Sequence, residues 1–152
     1  MGTMDSWQLT IDSNDPSRLV AFWAPLLGYE VQPPPDGFET WTDYLRSVGV
    51  PDDELDLDGD SADRNIDPTG KGPNIWFQLV PETKTIKNRF HLDIFVSERH
   101  TTSYDERRPL VQAQVAELLE RGATVRNIHD DAANGSYATV MHDPESNEFC
   151  VA

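Results

Sequence analysis

The spacing of apolar residues divides the chain into predicted strands, where they recur every second residue, and predicted helices, where they recur every three or four residues. In residues 7–12, Trp7, Leu9 and Ile11 share one face, which is typical of a half-buried strand. Further strands are predicted at residues 29–32, 74–80, 90–96, 124–128, 136–141 and 147–151. Apolar residues three and four apart predict two helices, one between Asp15-Pro16 and Gly28, in which Pro25 should weaken or kink the last turn, and one at 105–121.

The pattern is weakest between residues 38 and 73. One strand or helix is expected near residues 41–48, followed by an acidic loop at about residues 50–72. Residues 52–67 contain eight acidic residues and the base Arg64, and dense like charge predicts a solvated, mobile loop. A calcium loop at residues 56–60 is the alternative, but Gly59 is in the fourth position rather than the sixth.

The predicted order of strand, helix and three strands occurs twice. Gln8-Leu9-Thr10-Ile11 matches His91-Leu92-Asp93-Ile94, and Phe77-Gln78-Leu79 matches Phe149-Cys150-Val151. We therefore predict an α+β fold of two tandem βαβββ modules, at residues 5–82 and 88–152, within one domain covering residues 1–152. Because sheets bury one face under helices, the modules are expected to form a curved mixed sheet around a central cleft, with the helices on the outer face.

Alternation also divides the strand residues between the two faces of the sheet. The apolar face, expected to pack under the helices, consists of Leu9, Ile11, Ile75, Phe77, Leu79, Leu92, Ile94, Phe149 and Val151. The opposite face, expected to line the cleft, consists of Gln8, Thr10, Trp76, Gln78, His91, Asp93, Glu148 and Cys150. A histidine, a thiol, two carboxylates, amides and an indole on one small face are unusual for a purely structural surface, so this face is the candidate site.

Composition and charge narrow the possible partners. The formal net charge of −15 over 152 residues argues against nonspecific binding to nucleic acid or to an anionic membrane, because both require basic patches. We find no apolar run long enough for a membrane helix and no secretion signal in residues 1–6. The single cysteine excludes an internal disulfide and fits a reducing, cytoplasmic location.

Several motifs resemble one protein superfamily. The similarity lies in residues 11–16 followed by Ala21-Phe22-Trp23, then in Leu27-Gly28-Tyr29, Val80-Pro81-Glu82, residues 87–93 and residues 143–149. Together they resemble the vicinal oxygen chelate superfamily of glyoxalases, extradiol dioxygenases and bleomycin- or fosfomycin-resistance proteins, and especially its glyoxalase-like branch. The resemblance covers most of the chain except about residues 38–66, and it implies the paired-module fold more strongly than any one activity.

The resemblance also implies a position for a metal, on the first and last strands of each module. Those positions hold Gln8, Gln78, His91 and Cys150. Cys150 stands where the family pattern has a glutamate, Gln78 replaces an acid, and Ser146 replaces a glycine. A thiolate with an imidazole suits zinc, iron or copper better than a hard ion. The resemblance implies one divalent metal, zinc, iron, nickel or manganese, as the cofactor, and His91, Glu148 and Cys150 form an alternative ligand set.

Two functions are compatible with this face. The favoured one is a metal-free binding or sequestering protein for a cationic small molecule, with Trp76 stacking on the ligand and Thr10, Asp93 and Glu148 as further contacts. The alternative is a metal-dependent lyase, isomerase or dioxygenase that acts on vicinal oxygens, with Glu148 as the general base. Both need a small-molecule partner, and the protein is expected to be a monomer or a homodimer.

Overall fold

The computed structural model describes residues 6–152, so the predicted start of the first module at residue 5 lies outside it. The chain has two compact units, one ending at Thr83 and the other starting at Lys84. The elements of the first unit are β1 (Gln8–Ser13), α1 (Pro16–Leu27), β2 (Glu30–Val31), α2 (Trp41–Ser47), a 3₁₀ turn (Asp52–Glu54), β3 (Arg64–Ile66) and β4 (Asn74–Leu79). Those of the second are β5 (Asp93–Ile94), α3 (Tyr104–Glu120), β6 (Thr124–Asp131), a 3₁₀ turn (Ala132–Asn134), β7 (Ser136–His142) and β8 (Glu148–Val151).

Each unit contains a four-stranded mixed sheet, and the two sheets have the same topology. The strand orders are β1-β4-β3-β2 and β5-β8-β7-β6. In both, the first strand pairs in parallel with the last, and the remaining neighbours are antiparallel. The predicted α+β fold of two βαβββ modules is therefore confirmed, while the assignment of the whole chain to a single domain stays a prediction.

Local sequence accounts for the limits of α1. The Asp15 carboxylate caps the helix by accepting a hydrogen bond from Arg18 N at 3.2 Å, and Pro16 occupies the first turn, where its missing N–H costs nothing. The helix continues through Pro25 to Leu27 and ends where Gly28 adopts a positive φ of 67°. Buried apolar residues of α1 pack over β3 and β4, so this helix covers one face of the first sheet.

A separate core stabilises each unit. In the first, Leu19 and Phe77 have no solvent exposure. In the second, α3 contributes Val111 and Leu118, and they pack with the apolar residues of β7 and β8, namely Met141, Phe149 and Val151. The alternation used to assign faces is therefore present in the central strands of both sheets.

Several boundaries differ from the predictions. Of the residues near 41–48, Trp41–Ser47 form a helix, α2, and the predicted acidic loop contains β3 and a 3₁₀ turn. The strand predicted at residues 90–96 is reduced to Asp93–Ile94, and Leu79, predicted to be buried, is 54% exposed because β4 ends there. In residues 6–152, no helix is long and apolar enough to cross a bilayer.

The strand β6 forms an edge of the second sheet and is exposed along nearly its whole length. It pairs only with β7 among the described strands, and the register shifts between Val125 and Asn127. Val125 and Ile128 are among its exposed apolar residues.

Candidate functional site

A pocket of about 560 Å³ lies in the first unit, where β1 leads into α1 beside the last residues of β4. Its walls come from residues 14–17, 53–56, 61–63 and 76–79, with Leu45 from α2. A site at the carboxyl end of parallel strands and the start of a helix is a common position for ligands, because loops there can diverge and leave a crevice.

The walls of the pocket are strongly acidic. Five carboxylates line it, those of Asp15, Asp53, Glu54, Asp56 and Asp63, and none of the described lining residues is a lysine, arginine or histidine. The Ser17 hydroxyl donates to Asp56 Oδ2 at 2.5 Å and also lies 3.1 Å from Asp15 Oδ1, so both acids are placed at the start of α1. Asp53 and Glu54 lie on the 3₁₀ turn and are exposed.

One corner of the pocket combines an indole with a carboxylate. Ile75 and Phe77 point into the core, which leaves Trp76 half-buried on the opposite face of β4. The Trp76 Nε1–H donates to Asp63 Oδ2 at 2.9 Å. Arg64 lies directly opposite Trp76 on β3, with its guanidinium carbon 5.2 Å from the centre of the indole ring and its Nε 3.7 Å from Asp63 Oδ1.

The second unit has a different arrangement of charged groups around Glu148. This side chain is buried, and it accepts hydrogen bonds from Lys84 Nζ at 3.1 Å and from Asn88 N at 2.9 Å. His142 Nε2 lies 3.6 Å from the same carboxylate. Burial alone raises the pKa of Glu148, but the hydrogen bonds from Asn88 and Lys84 and the Lys84 charge outweigh it and lower the pKa to about 2. A carboxylate of that strength is a weak proton acceptor, which disfavours its predicted role as general base.

The turn before β8 is fixed by one buried acid. Asp143 Oδ1 accepts from the backbone N–H groups of Glu145 and Asn147, each at 2.9 Å. Ser146, where the family pattern has a glycine, adopts a positive φ of 69°. Asn88 Nδ2 donates to Asn147 Oδ1 at 3.0 Å, so the turn also anchors the segment that carries Lys84 and Asn88.

Comparison with known proteins identifies the family. Residues 8–152 match the family model described as a glyoxalase-like domain. The chain belongs to the glyoxalase-like domain family. No curated protein matches it significantly.

Solved structures of the glyoxalase/bleomycin resistance/dioxygenase superfamily share the fold of this glyoxalase-like protein. A family enzyme from Burkholderia phytofirmans PsJN has a TM-score of 0.56 and 18% identity, covering 95% of this chain and 94% of its own. A genomically encoded fosfomycin resistance protein from Listeria monocytogenes has a TM-score of 0.54 and 9% identity, covering 98% of this chain and 90% of its own. At these identities the likeness shows the fold and not the activity, and the predicted superfamily is confirmed.

The residues predicted for the site of this glyoxalase-like protein are divided between the two units, and those of the first unit lie partly inside and partly outside its pocket. Trp76 and Gln78 line the pocket of the first unit, whereas Gln8 and Thr10 lie outside its walls on β1, with Gln8 Nε2 donating to Thr10 Oγ1 at 3.4 Å. Asp63 completes the pocket corner but was not predicted. The sequence gives only its position just before Arg64, and this position predicts a place in the site only when β3 is known to start at Arg64.

The strand register of the first unit argues against a shared metal at the two glutamines. Gln8 is opposite Asn74, whereas Gln78 is opposite Asp12, so the two positions are four residues apart. Four residues of a parallel strand span about 13 Å, with the Thr10–Trp76 pair between them, while oxygen ligands lie within about 2.6 Å of a metal. This pair therefore does not fit a single ion.

The donors of the second unit fit a metal no better. Asp93 is opposite Cys150 in the register, and His91 Nε2 lies 3.5 Å from Asp93 Oδ1. Burial of Cys150, and then the nearby Asp93 charge, raise the pKa of the thiol, which disfavours the thiolate that a metal requires. Within residues 6–152, no three His, Cys, Asp or Glu side chains form a group that could hold an ion.

Proposed function

We propose that this glyoxalase-like protein binds a small organic cation in the pocket of the first unit. The observation that carries the proposal is a pocket of about 560 Å³ with five carboxylates and an indole in its walls. Negative potential concentrated in a cleft attracts cations, and an indole face attracts them again at short range. The volume suits a compact molecule of drug-like size or smaller.

The surroundings of the acids favour an organic cation over a metal ion. A metal requires several donor atoms converging on one point, and among residues 6–152 no three His, Cys, Asp or Glu side chains converge in this way. A planar organic cation needs an aromatic surface and one nearby carboxylate, and Trp76 with Asp63 supplies both.

Four of the lining residues have a proposed role. Trp76 stacks on the ligand, Asp63 pairs with its charge, and Asp53 and Glu54 attract the cation as it approaches. Thr10, which is opposite Trp76 on β1, is a further proposed contact. Asp93 and Glu148, predicted as ligand contacts, belong to the second unit and do not line this pocket. We place this binding activity in the cytoplasm because of the single cysteine.

Calorimetric titration with benzamidinium, and with its neutral isostere benzamide, tests the proposal. We expect benzamidinium to bind and benzamide to bind at least fivefold more weakly, since a cation–π contact or an ion pair contributes about 1 kcal/mol. Trp76→Leu and Asp63→Asn should each weaken benzamidinium binding by roughly the same factor.

Matched controls separate the pocket from general charge. Trp7→Leu removes another exposed indole, and Asp58→Asn removes an exposed acid outside the pocket walls. Both variants should bind benzamidinium as the unsubstituted protein does. Equal binding of benzamide and benzamidinium, or full affinity in both pocket variants, contradicts the proposal.

Elemental analysis distinguishes this proposal from the enzymatic alternative. We expect no stoichiometric divalent metal in anaerobically purified protein. Zinc, iron, nickel or manganese held near one equivalent, and lost in His91→Ala, would instead support a metal-dependent lyase, isomerase or dioxygenase.

A further inference from the structure

The Trp76–Asp63 corner already holds a cation that belongs to the chain itself. The Arg64 guanidinium carbon lies 5.2 Å from the centre of the Trp76 ring, and Arg64 Nε lies 3.7 Å from Asp63 Oδ1. The 5.2 Å separation is within cation–π range, but the 3.7 Å ion pair is long and the Arg64 side chain is 42% exposed, so water screens both contacts. The guanidinium is therefore held loosely enough to leave.

The two walls of this corner are held in place without Arg64. Asp63 Oδ2 accepts from the Trp76 indole at 2.9 Å, and the Asp63 backbone carbonyl accepts from Phe77 N at 2.8 Å. Trp76 itself is fixed by its position in β4 between two strands of the sheet. Removal of the Arg64 side chain therefore leaves an indole and a carboxylate in position.

We propose that this corner is a subsite for planar guanidinium or amidinium cations, and that Arg64 occupies it when no ligand is bound. The inference rests on the proposed function, because it names the class of cation that the pocket takes. A guanidinium matches the corner because its flat surface stacks on a ring while its N–H groups reach a carboxylate. An ammonium group has no such surface, so the corner discriminates by shape as well as charge.

Arg64 contacts Trp76 and Asp63 but is not among the residues that line the pocket, so it competes only for the corner that these two residues form. A ligand must displace the Arg64 guanidinium from Trp76, or share Asp63 with it. Replacement of Arg64 by alanine should therefore strengthen the binding of a guanidinium probe by roughly three- to tenfold, the factor that corresponds to one exposed cation–π contact plus one weak ion pair.

The Trp76 indole N–H resonance is the most direct reporter, because this N–H donates to Asp63. It is assigned by its loss in Trp76→Phe, and the other three tryptophans serve as internal references. Arg64→Ala is titrated with methylguanidinium, methylammonium and the neutral isostere methylurea. We expect a saturable shift with methylguanidinium, a several-fold weaker one with methylammonium, and none with methylurea.

Arg46→Ala is the matched control. Arg46 is comparably exposed and forms an ion pair with Asp52 at 2.9 Å, but its partner has no stacked ring among the described contacts. It should leave the methylguanidinium affinity unchanged. Arg64→Met, which keeps the apolar stem, repeats the test in case Arg64→Ala perturbs the fold, and unchanged reference indole resonances verify folding in both.

The outcomes separate the inference from the proposed function. Equal methylguanidinium affinity in Arg64→Ala, Arg64→Met and the unsubstituted protein overturns the inference, even where benzamidinium binds the pocket. Tighter binding in the Arg64 variants, with no benzamidinium binding to the unsubstituted protein, supports the subsite and contradicts the proposed function. A methylurea response equal to that of methylguanidinium overturns the inference.

Discussion

The two units have sheets of the same topology, but the cationic side chain beside the last strand is exposed in the first unit and largely buried in the second. In the first, Trp76 on β4 is opposite Arg64, and the neighbouring pocket is open. In the second, Glu148 on β8 is opposite His142 and is closed by Lys84. Each of these two strand positions has a cation from the chain beside it, yet only the second is sealed from water.

The degree of burial explains the different outcomes. The Lys84 side chain is 20% exposed and Glu148 is nearly inaccessible, whereas Arg64 and Asp63 are each about 40% exposed. Exposed pairs are weak because water screens both charges, while breaking a buried pair leaves an unsolvated charge. One topology therefore supports a solvent-exposed contact in one copy and a largely buried one in the other.

The cores provide the most severe test of this similarity. Phe77 and Phe149 lie on corresponding strands and are essentially unexposed, so Phe77→Ala and Phe149→Ala should each lower the free energy of unfolding by about 3–5 kcal/mol. All four tryptophans precede residue 84, so their fluorescence reports on the first unit, while circular dichroism reports on both. A loss below about 1 kcal/mol for either variant contradicts the shared role of these residues.

Acid should act mainly on the closed arrangement of the second unit. The pKa of Glu148 is lowered from 4.5 to about 2, so its contribution is complete above pH 4.5 and is lost as the pH falls toward 2. The expected loss is up to about 3 kcal/mol, measured by urea unfolding across this pH range. Glu148→Gln should flatten the profile between those limits, and an unchanged profile contradicts the assignment.

Lys84→Met removes the cation that closes Glu148 and keeps most of the side-chain volume. We expect a loss of about 1–3 kcal/mol, because a buried carboxylate loses its charged donor. Lys87→Met is the control, since the exposed Lys87 bonds only to Asn88 O among the described contacts, and it should cost less than about 0.5 kcal/mol. Equal unfolding free energies for the two variants argue against the closed pair.

The smallest expected effect concerns the thiol beside Asp93. Burial and then the Asp93 charge raise the pKa of Cys150, so alkylation by iodoacetamide should be slower than that of a free thiol at pH 8. Asp93→Asn should accelerate the reaction roughly twofold by removing the charge contribution. Asp12→Asn, an exposed substitution in the first unit, should leave the rate unchanged, and an unaltered rate in Asp93→Asn contradicts the electrostatic argument.

The repeated fold was readable from the sequence because its signals are local. The Asp15-Pro16 start and the Gly28 end of α1 are set by backbone chemistry at those residues, and the Ile75 and Phe77 alternation follows from the strand itself. The strand β3 was missed because it has three residues within an acidic run, and its buried member is Asn65, whose amide donates to Val20 O at 3.3 Å. Its burial depends on tertiary contacts that periodicity does not report.

The site was predicted in part for the same reason. The alternation of side chains along β4 was enough to predict that Trp76 lies on its polar face, and this residue does line the pocket. Alternation along a strand does not show which residues of neighbouring strands face each other. In the structure Thr10 is opposite Trp76, whereas Asp93 is opposite Cys150. The sequence match aligns Thr10 with Asp93 and Gln78 with Cys150, so the pairing of the two parallel strands differs by two residues between the units. Lys84 and Asn88 were also missed as partners of Glu148, because about 60 residues separate them from it along the chain.

The exposed edge strand β6 has a consequence for self-association. A long, regular edge offers unpaired N–H and C=O groups to any extended chain nearby, which is how amyloid-like stacking begins. The register shift beside Arg126 interrupts that row, and Asp130 and Asp131 place like charges on identical copies brought together there. The register shift and the two carboxylates are thus features that discourage this edge from pairing with a second strand.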